Sequence, residues 1–198
     1  MKKLLIIMAL MFLMGAGAVE AQNSVIDNIM TRTSIRKFKP QAVEDAKIET
    51  MLRAAMAAPT AVNKQPWHFV VITDKKVLDE LAGKGRGGDM LRNAPLAIVV
   101  CGNLEKALDG DAEEFWVQDA SAATENLLLA AHSLGLGAVW TGLYPIIERA
   151  GHVNSVLGMP EYIMPLCTVI IGYPDEQPTP KNKWNPENVS YNKFGNRK

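Results

Sequence analysis

Two long apolar segments constrain the fold of this chain more than any other feature of its sequence. Ala94–Cys101 and Ile163–Ile171 each have the length of a strand and contain almost no polar side chain. A strand with a continuous apolar sequence is covered on both faces, because an exposed face would carry alternating polar residues. The sequence therefore predicts two central strands inside a sheet.

Other periodic segments lie before, between and after these strands. The predicted helices are Val25–Thr31, Val43–Ala57, Lys75–Leu81, Phe115–Leu134 and Ile146–Leu157. The further strands are predicted at His68–Thr73 and Ala138–Leu143, the second of which could also be a turn. Helices and strands are interspersed without strict alternation. The predicted fold class is therefore α+β rather than a doubly wound parallel sheet.

The two ends of the chain differ from the body between them. Lys2 and Lys3 precede an apolar run, Leu4–Ala18, and small residues follow it. This pattern predicts a signal peptide at 1–21 and export to the periplasm or beyond. A retained membrane anchor is the alternative, but the run is short for a membrane span. One domain is then expected over 22–198, and its Pro-, Asn- and Lys-rich end, 174–198, is predicted to form an extended arm.

Charge and cysteine content exclude some classes of partner. Without Lys2, Lys3 and Glu20, the 21 basic and 21 acidic residues become 19 and 20, a formal net charge of −1. Such a chain has no long-range attraction for nucleic acid or anionic membranes.

The three histidines lack metal-ligand spacing, so no metal site is predicted. Cys101 and Cys167 are predicted to be buried free thiols, with a disulfide between neighbouring strands as the alternative.

A short motif near the start of the domain suggests an anion site. Arg32, Ser34 and Arg36 alternate with Thr33 and Ile35. On an extended backbone this alternation places two guanidiniums and a hydroxyl on one face. Like charges so arranged repel each other unless an anion lies between them, and guanidiniums are well suited to phosphate oxygens.

A second motif, Pro59–Trp67, combines two prolines, which fix the path of a loop, with Asn63 and Gln65, whose amides both donate and accept hydrogen bonds. Together the two motifs predict a site for a phosphorylated heteroaromatic cofactor. The glycine-rich stretch Gly83–Gly88 imitates a phosphate loop. It follows a predicted helix and lacks the Lys-Ser/Thr ending, so a surface loop is predicted there instead.

Three more segments complete a family pattern. They are Gly137–Gly142, Leu157–Glu161 followed by Ile171–Pro174, and Lys181–Trp184. With the two motifs, and in this order, they resemble the FMN-dependent nitroreductase family over almost the whole chain from about Ile26 onward. The resemblance implies a mixed sheet flanked by helices, an extended C-terminal arm, and a homodimer that holds FMN at the subunit interface.

The resemblance also implies which residues contact the flavin. Those that hold the FMN phosphate, ribityl chain and pyrimidine edge are Arg32, Thr33, Ser34 and Arg36, and those that close on the phosphate are Lys181 and Lys183. The loop that reaches the flavin from the partner subunit corresponds to Pro59, Thr60, Ala61 and Asn63. The turn whose backbone N–H faces flavin N5 corresponds to Thr141 and Gly142. No side chain is assigned a catalytic role.

Taken singly, these residues also have simpler interpretations. Arg32 and Arg36 could form surface ion pairs with acids of the next helix, and Asn63 could serve loop geometry alone. Lys181 and Lys183 could be solvated charges of the tail. The ordered set, rather than any one residue, favours FMN.

The function that the resemblance implies is an FMN-dependent oxidoreductase. It would reduce nitroaromatics, quinones or related acceptors in a ping-pong reaction through flavin N5, with NAD(P)H as donor in vitro and the physiological donor left open. The alternatives are a flavin carrier or sensor without turnover, a flavin-dependent dehalogenase-type enzyme on the same scaffold, and an interaction protein with an empty pocket.

Overall fold

The computed structural model describes residues 24–83 and 86–198. The signal peptide predicted at 1–21 lies outside these residues. The helices are α1 (24–31), α2 (Asp45–Met56), α3 (Lys75–Leu81), α4 (Arg86–Arg92), α5 (Phe115–Ser133) and α6 (Ile147–Leu157). The strands are β1 (Trp67–Ile72), β2 (Leu96–Asn103), β3 (Gly137–Gly142) and β4 (Ile163–Gly172). In the part of the chain just defined, no helix is long and apolar enough to span a membrane.

The four strands form one sheet in the order β1-β2-β4-β3, and every adjacent pair is antiparallel. The two strands predicted to be central, β2 and β4, occupy the two middle places. The resemblance implied a mixed sheet, and the parallel contribution within residues 24–83 and 86–198 is a single bridge between Ser34 and Ala138. The α+β class is confirmed.

Helices cover both faces of the sheet, as the apolar segments require. On one face α2 and α5 pack against alternate residues of β2, among them Leu96 and Ile98. On the other face α3, α4 and α6 pack against the residues between them, such as Ala97 and Val99. All four of these side chains are fully buried. Burial of a Val, Leu or Ile side chain contributes about 1.5–3 kcal/mol, so the two middle strands form the stable centre of the domain.

The two cysteines lie on opposite faces of the sheet. Cys101 belongs to the cluster under α3, α4 and α6, whereas Cys167 belongs to the cluster under α2 and α5. The register pairs Cys167 with Val100 rather than with Cys101. Both cysteines are free and buried, as the sequence favoured, and the alternative of a disulfide between neighbouring strands is wrong. Burial raises the pKa of each thiol to about 12.

The glycine-rich stretch is the clearest departure from the sequence-based prediction. A surface loop was expected over Gly83–Gly88, but α4 begins at Arg86, so the last two glycines are helical; Lys84 and Gly85 lie outside the described residues. Tertiary contacts stabilise this poor helix former. The Arg92 guanidinium donates to the Ala82 carbonyl (2.9 Å) and to Asp89 Oδ1 (3.1 Å).

The C-terminal arm leaves the sheet at the end of β4 and runs along the segment that follows α1. The Asp175 N–H donates to the Lys37 carbonyl (2.9 Å), and the Glu176 carboxylate accepts the backbone N–H groups of Arg36 and Lys37. Beyond this contact the arm is mostly exposed and contains one short 3₁₀ turn, Pro186–Asn188. The arm is therefore anchored at its start, beside the first motif.

Candidate functional site

A cavity of about 800 Å³ lies between the first motif and the arm. Six residues that the family resemblance assigns to FMN line it, namely Arg32, Thr33, Ser34, Arg36, Lys181 and Lys183. The other lining residues are Ile29, Met30, Glu125, Pro178, Thr179, Asn182 and Trp184. Residues from the two ends of the domain thus meet at one site, and its volume is in the range of small-molecule and cofactor pockets.

The first motif is held in place by the edge of β3. The Ile35 N–H donates to the Ala138 carbonyl (3.0 Å), and the Ile35 side chain is buried. Gly137 permits this approach, since a Cβ there would lie only 2.6 Å from Ile35 Cβ. With Ile35 directed into the core, Ser34 and Arg36 on either side line the cavity, as the alternation predicted. Thr33 lines it too, so the alternation is not strict.

The cavity is strongly cationic. Two arginines and two lysines line it, against a single carboxylate, Glu125, among its lining residues. Arg32 Nε lies 3.7 Å from Glu125 Oε1. The Arg36 guanidinium donates to the Ser34 carbonyl (3.4 Å) and has no ion-pair partner within residues 24–83 and 86–198. Ion pairs with α2, the simpler interpretation, do not form: Arg32 pairs with α5 instead. The excess positive charge fits a phosphate.

His132 supports the cavity from α5. The Thr31 hydroxyl donates to the Asp27 carbonyl (2.5 Å), so its oxygen accepts from His132 Nε2–H, 3.0 Å away. Partial burial lowers the pKa of His132, and the nearby positive charge of Arg32 lowers it further. A neutral imidazole is therefore favoured, and it ties the end of α1 to α5.

The second motif lies apart from this cavity. Of the residues that the structure describes along the cavity wall, none belongs to Pro59–Asn63. The loop is closed by its own hydrogen bonds, from Gln65 N–H to Thr60 Oγ1 (3.1 Å) and from Gln65 Nε2 to Asn63 Oδ1 (2.9 Å). Its Ala61 N–H donates to Asp119 Oδ1 on α5 (2.9 Å). That the loop serves another subunit stays a prediction.

Thr141 and Gly142 end β3 and line a second cavity of about 740 Å³, between the sheet and α6. The Thr141 hydroxyl donates to the Thr168 carbonyl (2.8 Å), which fixes the position of this turn. Among the described residues, a Cβ on Gly142 would meet no atom within 4 Å. The structure does not bring these two residues into the cationic cavity, but β3 connects them to it. Three to four residues of strand, roughly 10–14 Å, separate them from Ala138.

Sequence reasoning missed three acids at or near the site. Glu125 lines the cavity, Glu176 holds the backbone of the first motif, and Asp119 holds the second. A signal existed for Asp119, which is the one acid on the buried face of an apolar helix. Glu125 and Glu176 stand among other polar residues, so no local pattern distinguishes them.

Comparison with known proteins identifies the family. The model of the nitroreductase family matches residues 29–86 and 83–173. A protein of Methanothermobacter thermautotrophicus, provisionally named NADH dehydrogenase/NAD(P)H nitroreductase, is 41% identical over 172 residues, which are 86% of this chain and 87% of the relative.

Two solved structures agree with that match. A protein of Parabacteroides distasonis with the same provisional name is 43% identical and superimposes with a TM-score of 0.81, over 86% of this chain and 99% of the other. A provisionally named nitroreductase of Desulfovibrio desulfuricans, solved in complex with FMN, is 32% identical with a TM-score of 0.75, over 86% and 97% of the two chains. The resemblance read from the motifs is confirmed, and the chain belongs to the nitroreductase family.

Proposed function

We propose that this protein is an FMN-dependent oxidoreductase that accepts electrons from NAD(P)H in vitro and reduces nitroaromatic or quinone acceptors. One observation carries the proposal: the residues assigned to the phosphate, ribityl chain and pyrimidine edge of FMN, from both ends of the domain, line one cationic cavity. The FMN complex of the Desulfovibrio desulfuricans relative supports the choice of cofactor. A phosphate with two negative charges matches a wall with four basic side chains and one acid.

Different residues of the chain bind different parts of FMN. Arg32, Lys181 and Lys183 would neutralise the phosphate, Arg36 would contact the pyrimidine edge, and the Ser34 hydroxyl can donate to the phosphate or to the ribityl chain. The end of β3 is the second contact: the backbone at Thr141 is fixed by the sheet, and Gly142 leaves open space in which a ring can lie against the main chain. When bound, FMN supplies the hydride chemistry, and no side chain need act as nucleophile or general base.

A binding slot shared by donor and acceptor would explain the proposed ping-pong reaction. Donor and acceptor must each reach the same reactive atom of the cofactor, so they bind in turn. Arg36, near the proposed pyrimidine edge, places a positive charge where electron density increases on reduction, which is an electrostatic contribution to the reaction. The proposed acceptors are flat aromatic molecules, since these can stack on the exposed ring face.

We propose further that the working unit is a homodimer. The second motif is not among the residues that line the cationic cavity of its own chain, and the family resemblance assigns it to the flavin of a partner subunit. Apolar side chains for a second copy are exposed on α1, where Met30 is 65% exposed, and on the arm, where Trp184 is 71% exposed. Light scattering of the FMN-loaded protein should give the mass of two chains, and a flavin-loaded monomer would contradict the dimer.

We propose as well that the protein is exported by its signal peptide. The basic start, the apolar run and the small residues before Gln22 support cleavage after residue 21. Reduced nicotinamides are scarce outside the cytoplasm, so we propose that a different small molecule is the physiological donor. Mass spectrometry of protein from the periplasm or medium should find a chain that begins at Gln22. A full-length chain in the cytoplasm would refute export and leave the FMN site untouched.

The decisive experiment tests the cationic cavity. The double variant Arg32→Ala/Arg36→Ala removes two charge-assisted contacts, each worth about 1.5–3 kcal/mol, so FMN affinity should fall at least 100-fold. The fold should survive, because the Arg32–Glu125 pair is partly exposed and exposed pairs contribute at most about 1 kcal/mol. The matched control Arg53→Ala/Lys75→Ala removes two cations from exposed helix pairs that are not among the residues lining the cavity.

The outcomes separate the candidate functions. Yellow wild-type protein that bleaches under anaerobic NADH or NADPH, and is reoxidised by menadione or a nitrofuran, supports the oxidoreductase. Yellow protein that is never reoxidised above the oxygen background indicates a flavin carrier. Protein that stays colourless after FMN is added indicates an empty pocket. Equal FMN binding by the two double variants would show that the phosphate assignment is wrong.

A further inference from the structure

The loop of the second motif has an unusual backbone. Val62, Asn63 and Gln65 have φ angles of 41°, 58° and 51°, in a region that L-residues other than Asn and Asp seldom adopt. Val62 is β-branched and 78% exposed, so no packing of its own side chain explains this conformation. Such strain persists only when the surroundings hold the backbone in place, and it is concentrated at functional sites.

Local hydrogen bonds fix the shape of the loop but not its place on the molecule. The bonds between Gln65 and the side chains of Thr60 and Asn63 are internal to the loop. At its end, the Pro66 carbonyl accepts from Asn103 N–H of β2 (2.8 Å). Between Thr60 and Pro66, the loop forms one hydrogen bond to the rest of the domain within the described residues, from Ala61 N–H to Asp119 Oδ1.

Asp119 is an unfavourable residue for its position unless it serves this bond. It is only 6% exposed, on the face of α5 that carries Trp116 and Ala120 into the core. Its second oxygen, Oδ2, is buried and has no hydrogen-bond partner in residues 24–83 and 86–198. A buried carboxylate with an unsatisfied oxygen destabilises a fold, and an apolar residue of similar size would not.

We infer that Asp119 is a positioning residue for the flavin site: it sets the position of Ala61, and through it the presentation of Thr60–Asn63 to the flavin of a second copy. The inference rests on the proposed function, since that function places this loop against FMN. A carboxylate suits the task because it forms a stronger bond with a backbone N–H than a neutral acceptor does, and because α5 is rigid. The hydrogen bond thus holds the strained loop against a rigid helix of the core.

Three variants test the inference. Asp119→Ala removes the acceptor. Asp119→Asn keeps an oxygen for the Ala61 N–H and should restore most of the function. Thr124→Val is the matched control, because the Thr124 hydroxyl is buried on the same helix and bonds only within the core, to the Ala120 carbonyl (2.7 Å) and near Cys167 Sγ.

The first readout needs no flavin. Lys64 lies in the loop, so trypsin cleaves at Lys64–Gln65 when the loop opens. Cleavage of flavin-free Asp119→Ala should be about 10-fold faster than that of the wild type, which corresponds to the loss of one charge-assisted hydrogen bond. Asp119→Asn and Thr124→Val should be cleaved at rates close to the wild-type rate. Equal cleavage of Asp119→Ala and wild type would overturn the positioning of the loop.

The second readout is FMN affinity, measured by quenching of FMN fluorescence. Asp119→Ala should weaken binding about 10-fold, with Asp119→Asn nearer the wild type. Ala61→Pro tests the donor side if Asp119→Ala does not fold: it removes the N–H, and Thr60 is already extended (φ −136°, ψ 157°), as a residue before proline must be. It should weaken binding similarly, and where both single variants fold, the double variant should be no worse than either single change.

The results distinguish the inference from the proposed function. Wild-type protein that binds no FMN refutes the proposed function, while the trypsin result still decides whether Asp119 holds the loop. Faster cleavage combined with unchanged FMN affinity would show that Asp119 positions a loop that the flavin does not need. If Thr124→Val loses as much FMN affinity as Asp119→Ala, general destabilisation explains the loss, and the positioning role of Asp119 is overturned.

Discussion

Gly137→Ala should damage the cationic cavity without touching a residue that lines it. The added Cβ would lie 2.6 Å from both Cβ and Cγ2 of Ile35 and 2.8 Å from Cγ1. Ordinary van der Waals contact begins near 3.4 Å, so the two segments must separate by roughly 1 Å. Because Ile35 Cβ itself clashes, no rotation of the side chain relieves the contact. The backbone that carries Ser34 and Arg36 has to move.

The structure gives the size of the effect. Overpacking of a core costs about 1–3 kcal/mol. Loss of the bond from Ile35 N–H to the Ala138 carbonyl adds about 1 kcal/mol, so the free energy of unfolding should fall by about 2–4 kcal/mol. The displaced segment also loses at least one charge-assisted contact with the phosphate, and FMN affinity should fall at least 10-fold.

Gly102→Ala provides the control for this prediction. A Cβ at Gly102 would lie 2.3 Å from Trp116 Cε3, a clash of the same kind on β2, and Gly102 is not among the residues that line the cavity. Urea unfolding followed by circular dichroism should show a loss of stability in both variants. Fluorescence titration at fixed ionic strength should show weaker FMN binding only for Gly137→Ala. Wild-type affinity in Gly137→Ala, or equal weakening in Gly102→Ala, would refute the reasoning.

Three further predictions use other parts of the structure. Gly142→Ala should leave unfolding unchanged, since its Cβ meets nothing within 4 Å, yet weaken FMN if the ring lies there; Gly151→Ala, equally unhindered on α6, should leave FMN binding unchanged. Folding lowers the pKa of His132, so the stability that the neutral imidazole contributes above the unfolded-state pKa of about 6.5 is lost as the pH falls below that value. Urea unfolding at pH 5.5 and 7.5 should show a smaller loss of stability for His132→Asn than for the wild type. Finally, Cys101 and Cys167 should react with a thiol reagent at pH 8 only after unfolding, and rapid labelling of folded protein would contradict their burial.

The middle of the fold was readable from the sequence because burial leaves a strong pattern. β2 and β4 were predicted within two residues at each end, since apolar strands covered on both faces admit few alternatives. The alternation around Ile35 likewise predicted that Arg32, Ser34 and Arg36 face the cavity, but it did not predict Thr33. Helix α4 was not predicted, because its glycines disfavour a helix and the contacts of Arg92 that stabilise it come from the folded chain.

The site could be predicted from the sequence only in part. Lys181 and Lys183 were assigned through the family resemblance, although each resembles a solvated tail charge. Both line the cationic cavity, and their contact with a phosphate stays a prediction. Two of the missed acids, Glu176 and Asp119, have backbone N–H groups as partners, and folding brings these groups close. Glu176 meets Arg36 across most of the length of the domain, and no spacing rule connects them.

The cationic cavity has one wall from the beginning of the domain and one from the C-terminal arm. Such a pocket cannot exist on a nascent chain, since its last cations emerge after the whole sheet. Cofactor capture then becomes the closing event of maturation, and the yellow colour of a preparation would report intact C-termini as well as correct folding. A protease that trims the arm would release the flavin while leaving the sheet intact, so loss of colour would precede loss of structure.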